Sequence, residues 1–409
     1  MKKVFFYAAL AAVALTSCSK HDDDVVNKGN DDDSKQAIRF VMGSPIEITT
    51  RGTGAVGDIQ DGANYWAGEE LNVFMFDRGL ETLKITKNET TGTDYFNDAA
   101  ITAPTAEKGQ NAGTATYGNL QYYPGSGEFE FFAYRADDAA VKDEQTGKNV
   151  ITKLPSEDAP TAYTVEVNID GTQDLMFAKA IMNAEDSAKL EPATMHRVYS
   201  SYAARRDIHP RFKFEHLLSR LVFNVEAAEG AGRPTSEDIN IMTPEEEYRG
   251  VWIDAIKIVD VHNNGTMTVA YIGEKPQNIV TWKTDITDTL SLKDRDNAGE
   301  EAFELEPFQP MYGKSLRVGE SMLLPESESY ELVVYYSQYP SDETYEDGLK
   351  AKFTYSKMLK PTGGFQPGMQ YNVNIKVYGA EEIQLELELT PWNESDEDIP
   401  VDSEDEENH

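Results

Sequence analysis

The chain has 409 residues, with 37 Lys+Arg against 72 Asp+Glu, a formal charge of −35 and one cysteine. Charge of this sign argues against nucleic acid or anionic lipid held on a basic face. A lone cysteine removes any intrachain disulfide, so stability must come from packed cores, and the length suits two domains.

The first element is apolar and short. Lys2 and Lys3 precede an apolar run of 12 residues, Val4 to Leu15, closed by Thr16-Ser17-Cys18. A bilayer needs roughly 20 such residues. Residues 1–17 therefore read as a secretory signal that is removed. Its loss takes two lysines, which brings the mature chain to −35 − 2 = −37. Residues 18–36 are acidic and poor in apolar side chains, and they read as a flexible linker.

From Ala37 onward the repeating unit is a short β-branched or aromatic run closed by Gly, Pro, Asn or Asp. The first two runs are Ile38-Arg39-Phe40-Val41-Met42 and Ile46-Glu47-Ile48-Thr49-Thr50, followed at once by Arg51-Gly52-Thr53-Gly54. Strands are then predicted over 71–76, 128–134, 163–169, 221–225, 255–259, 266–270, 330–336, 371–377 and 383–389. Strict alternation in the last two puts one face in a core and the other in water. Asn264-Gly265 predicts a hairpin turn after His262-Asn263. Residues 200–206 and 214–220 are the best helical stretches. His209-Pro210 marks a domain boundary, which gives β-sandwich domains over 37–209 and 210–392. Residues 393–409 form an acidic tail read as disordered.

Sites of chemistry are scarce. The six histidines (His21, His196, His209, His216, His262 and His409) include no i, i+4 pair, and Cys18 cannot join a metal site with them. His216, at the start of an apolar strand, reads as a satisfied core or edge histidine. Neither a nucleophile elbow nor a phosphate loop is present. Residues 168–174 lack the distal glutamate of a calcium loop and read as a turn. Trp66, Trp252, Trp282 and Trp392 read as core or edge fillers, with sugar stacking as the alternative. No cofactor and no enzymatic activity are expected.

Two resemblances sharpen this picture. Leu15-Thr16-Ser17-Cys18 resembles a bacterial lipoprotein signal, which implies cleavage before Cys18 and lipidation of that residue. The acidic Asp22-Asp23-Asp24 behind it resembles the Bacteroidetes signal for the outer face of the outer membrane. Further on, Trp66-Ala67-Gly68-Glu69, Tyr122-Tyr123-Pro124 with Phe129 to Arg135, Asp174-Leu175-Met176-Phe177-Ala178 and Phe214 to Phe223 stand in one order. With Phe365-Gln366-Pro367-Gly368 and Pro391-Trp392, they resemble the fimbrillin family, in particular its Mfa-like branch, over about Ile38 to Trp392. Arg135-Ala136 and Glu69-Glu70 depart slightly from its pattern.

The resemblance implies two tandem transthyretin-like β-sandwich domains and a lipidated precursor at the surface. It also implies cleavage after an arginine by an arginine-specific protease. Loss of the first strand then opens a groove for a strand from another subunit. In this sequence the candidate cleavage residue is Arg51, with an ordinary loop arginine as the alternative. The candidate displaced strand carries Ile38, Phe40, Met42, Ile46 and Ile48. The candidate donor strand carries Ile383, Leu385, Leu387 and Leu389, which also suit a strand of their own domain. The expected partners are other fimbrial subunits, the processing protease, outer-membrane lipid through Cys18 and a host or bacterial surface ligand. The competing reading is a surface glycan-binding lipoprotein of a nutrient-uptake system. Stalk, anchor and tip roles are not separable at this level.

Overall fold

In the computed structural model the described residues are 35–42, 66, 68–105, 113–228, 231, 250–295, 302–338, 351–379 and 382–391. Their architecture is all-β, as expected, with two short helices, α1 (Ala184–Ala188) and α2 (Ser201–Ala204). Among them no helix is long and apolar enough to cross a membrane.

The first set of layers is built on a five-stranded antiparallel sheet. Its order is β10 (Glu215–His216), β8 (Met176–Lys179), β5 (Phe129–Arg135), β2 (Glu70–Asp77) and β3 (Ala99–Thr102). Alternation sends Val73, Met75, Phe131, Ala133 and Met176 to one face, and Phe74, Phe76, Phe132, Tyr134 and Phe177 to the other. Both faces are buried, which is why β2 and β5 read as nearly continuous apolar runs. One face is covered by a three-stranded sheet, β4 (Gly113–Thr114), β1 (Val41–Met42) and β9 (Arg211–Phe212), together with α2. The other is covered by β14 (Val280–Trp282), β13 (Asn264–Tyr271), β7 (Ala162–Asn168) and β6 (Ile151–Leu154).

The rest forms a sandwich of two four-stranded sheets. One sheet runs β18 (Leu316–Leu324), β11 (Ser219–Ala227), β21 (Met369–Gly379) and β22 (Glu382–Pro391). The other runs β15 (Asp288–Ser291), β12 (Val251–Val261), β19 (Tyr330–Gln338) and β20 (Ala351–Leu359). Leu221, Phe223, Val373 and Ile375 meet Ile256, Ile258, Leu332 and Val334 between them. A small ladder of β16 (Lys293–Arg295) and β17 (Ala302–Glu304) stands beside β18.

The strands do not divide at residue 210. β13 pairs with β7 from Asn264 opposite Asn168 to Tyr271 opposite Ala162, and β10 pairs with β8. Residues 211–216 and 264–282 therefore complete the first set of layers. The expected hairpin at Asn264-Gly265 is also not formed, because β12 and β13 lie in different sheets. Asn263 is buried, and its amide donates to Asn168 Oδ1 and to the Ile169 carbonyl, both at 3.1 Å, which fixes the crossing. Gly265 serves close approach, since a Cβ there would lie 2.9 Å from the Trp282 ring. The helical reading holds for α2 alone, because residues 219–220 open β11 and 215–216 form β10.

Candidate strand-exchange groove

The segment from Gln36 to Met42 is paired along its length on one side and at Val41 and Met42 on the other. On one side it runs antiparallel to residues 113–123. Ile38 N–H donates to the Gln121 carbonyl at 2.9 Å, Tyr123 N–H to Gln36 at 2.9 Å and Ala115 N–H to Phe40 at 3.0 Å. Val41 stands opposite Thr114, and Met42 opposite Gly113. On the other side it runs parallel to β9. Val41 faces Arg211, Met42 faces Phe212, and Val41 N–H donates to the Pro210 carbonyl at 2.9 Å. The Tyr117 hydroxyl donates to the Ile38 carbonyl.

Alternation sorts the side chains. Ile38, Phe40 and Met42 have no exposed surface, whereas Arg39 between them is exposed. The Phe40 ring meets Phe96, Phe131, Phe212 and Tyr117 at centroid distances of 5.0, 5.5, 5.6 and 5.8 Å. Gly113 lets β4 close over this cluster, since a Cβ there would stand 2.7 Å from Pro104. Burying three such side chains contributes about 5–9 kcal/mol, comparable with the whole stability of a typical domain. The end of the segment, β1, is thus a central strand. Its loss would leave two unpaired edges and an apolar groove, a template for another strand.

The other predicted site residues fall elsewhere. Cys18, Ile46, Ile48, Arg51 and Trp392 lie outside the described residues. The strand of Ile383, Leu385, Leu387 and Leu389 is β22. It pairs along β21 at the edge of the second sandwich, with Ile383 opposite Val377 and Leu389 opposite Tyr371. Ile383 is buried in that core. The structure therefore gathers Ile38, Phe40 and Met42 in one groove and places β22 as a strand of its own sheet.

A buried polar cluster was missed in the sequence. His216 Nδ1 lies 3.0 Å from Asp174 Oδ1, and Arg135 reaches Asp174 Oδ2 at 3.8 Å and Asp137 Oδ2 at 3.0 Å. Arg220 donates from Nε to Ser321 Oγ at 3.0 Å, and burial pulls its guanidinium down to about 9. Arg135, Asp174 and His216 come from three separate motifs, so only their charge or polarity inside apolar runs could have signalled the cluster. His216 is buried, with its Nδ1 beside Asp174. The 168–174 stretch is a turn, with Asp170 accepting from the backbone and hydroxyl of Thr172.

Among the described residues no group of three or more His, Cys, Asp or Glu is placed to hold a metal ion. Trp66 is buried against Phe214, 5.3 Å between centroids. Trp252 and Trp282 are half-buried, and Trp282 lines a cleft of about 220 Å³ with His262, Tyr330 and Met358.

No curated relative matches the chain. A fimbrial protein from Bacteroides vulgatus matches at 14% identity and a TM-score of 0.46, over 87% of this chain and 99% of that one. A protein assigned to cell adhesion from Bacteroides uniformis matches at 15% identity and a TM-score of 0.43, over 89% and 100%. The fimbrial anchor protein Mfa2 from Porphyromonas gingivalis matches at 13% identity and a TM-score of 0.28, over 87% and 99%. The fimbrillin-like family model matches residues 60–392, most of the chain, and the protein belongs to that family.

Proposed function

We propose that this chain is a fimbrial subunit exported as a lipidated precursor and joined to its neighbours by β-strand exchange. The family is one of structural fimbrial proteins and adhesins acting at the cell surface, in association with other fimbrial subunits. The observation that carries the finer reading is the position of residues 36–42 over a cluster of aromatic rings, bonded along one side and between β4 and β9 at Val41 and Met42. Cleavage after Arg51 would make this strand a separate peptide that an incoming strand can replace. The alternation of Ile383, Leu385, Leu387 and Leu389 suits β22 of a neighbour as the replacement. Lipid on Cys18 would hold the precursor at the outer membrane until that cut. The buried Trp66 and half-buried Trp252 and Trp282 give less support to a flat sugar-binding platform.

The test uses the mature chain from Ser19, treated with an arginine-specific protease. Mass spectrometry reads the new N-terminus, and a native gel reads size. A single cut after Arg51 followed by a ladder of oligomers is expected. A chain that is cut there and stays monomeric would remove the strand-exchange reading.

A further inference from the structure

We infer that the basic segment 197–213, which forms one wall of the groove around residues 36–42, seats the acidic C-terminal tail of a neighbouring subunit. This rests on the strand-exchange reading and adds an electrostatic step to it.

The segment is unusual for its chain. Arg197, Arg205, Arg206, Arg211 and Lys213 stand against Asp207 alone, in a protein with 72 acidic and 37 basic residues. Arg205 and Arg206 are exposed. The guanidinium carbons of Arg197 and Arg206 lie 4.2 and 3.7 Å from the centroid of the Tyr202 ring. Arg206 Nη1 also donates to the Tyr202 carbonyl at 3.0 Å. Stacking of this kind orients a guanidinium while leaving in-plane N–H groups for an anion. Nearby carboxylates are already engaged: Glu128 with His196, Glu130 with Arg78 and Lys179, and Glu185 and Asp186 with Lys189. The segment ends in β9, which pairs directly with β1, so it borders the groove itself.

The occupant is fixed by charge and connection. Residues 393–409 hold nine acidic side chains and no lysine or arginine. They follow β22, the proposed donor, which ends at Pro391, with Trp392 alone between. A neighbour's β22 seated in the groove would carry its tail to this wall, where tethering gives an effective concentration of about millimolar. Opposite charge brought together in this way speeds encounter and sets register. A second basic run, Lys352, Lys357 and Lys360, belongs to β20 and the residue after it in the other sandwich, and it serves as the control.

The experiment follows assembly of the protease-cut chain from Ser19 by light scattering. Deleting 393–409, or combining Arg205→Glu with Arg206→Glu, should each slow assembly about tenfold at low salt. Together they should slow it no further, and about 0.5 M salt should bring the wild type to the same rate. The uncut variants should melt together with the wild type, which separates the effect from misfolding. Full-rate assembly of the deletion, equal slowing by Lys352→Glu with Lys357→Glu, or additive effects would overturn the inference. Failure of the wild type to assemble at all would instead sink the strand-exchange reading.

Discussion

Asp174 and His216 are 42 residues apart in sequence and 3.0 Å apart in space, Oδ1 to Nδ1, and both are buried. They join β10 to the turn before β8, where the first set of layers meets β11 of the sandwich. Arg135 approaches the same carboxylate. Replacing Asp174 by Ala takes from His216 and Arg135 a shared buried partner. The expected loss is about 3–5 kcal/mol, read from urea unfolding. A loss below about 1 kcal/mol would mean that the contact is incidental.

Phe40 fills the centre of the groove. Phe40→Ala removes contact with four rings and should cost the precursor about 3–5 kcal/mol. It should also release the strand more readily after cleavage. Denaturant unfolding of the uncut chain gives the first quantity, and the rate of oligomer appearance after cutting gives the second. An unchanged rate would mean that release of this strand does not limit exchange.

Gly265 lies where β14 approaches β13. A Cβ there would stand 2.9 Å from Trp282 Cε3 and 3.1 Å from the Thr281 carbonyl oxygen. Gly265→Ala should therefore cost about 1–3 kcal/mol by overpacking. Adding Trp282→Leu should recover part of that loss, as a double-mutant cycle on thermal unfolding would reveal.

His209 brings a pH dependence to the groove wall. Burial holds its imidazole below the usual histidine value, against the opposing pull of Asp207 at 3.2 Å. Asp186 pulls in the same sense as Asp207, while Arg39 opposes protonation. The unfolded chain therefore takes up the proton first as pH falls. Stability from this group is present above pH about 6.5 and is lost below it. His209→Gln should flatten the slope of stability against pH between about 7.5 and 5.5. An unchanged slope would assign the acid sensitivity to other groups.

Much of the fold was readable because long strands carry their own period. β2, β5, β7, β12, β19 and β21 all fall where alternation or aromatic runs put them. The strands that build the groove are different. β1, β4 and β9 have two residues each, too few to show a period, and their pairing joins residues more than 70 positions apart. Ile38, Phe40 and Met42 were visible as an alternating set, but their partners Phe96, Phe131 and Phe212 come from distant segments. The crossing at His262-Asn263 was misread because Asn-Gly signals positive φ. Here the preceding Asn263 works through its side chain and Gly265 through its lack of one. Positive φ is found instead at Asp260, at 57°.

The final prediction concerns what happens between cutting and exchange. The three side chains buried by residues 36–42 hold that segment by about 5–9 kcal/mol before its backbone bonds are counted. A cut after Arg51 breaks the chain and none of these contacts. The released peptide, residues 19–51, should therefore stay with the body and co-elute in size-exclusion chromatography. Arg39 is exposed as a side chain, yet its neighbours' backbone is bonded into the ladder at Ile38 and Phe40. A protease needs an extended, unpaired backbone, so the Arg39–Phe40 bond should survive. Adding a synthetic peptide of residues 382–391 should then displace the 19–51 fragment, with a rate that rises with peptide concentration. Spontaneous loss of the fragment without a competitor would show that the groove does not hold its strand strongly enough to keep a cut subunit folded until a partner arrives.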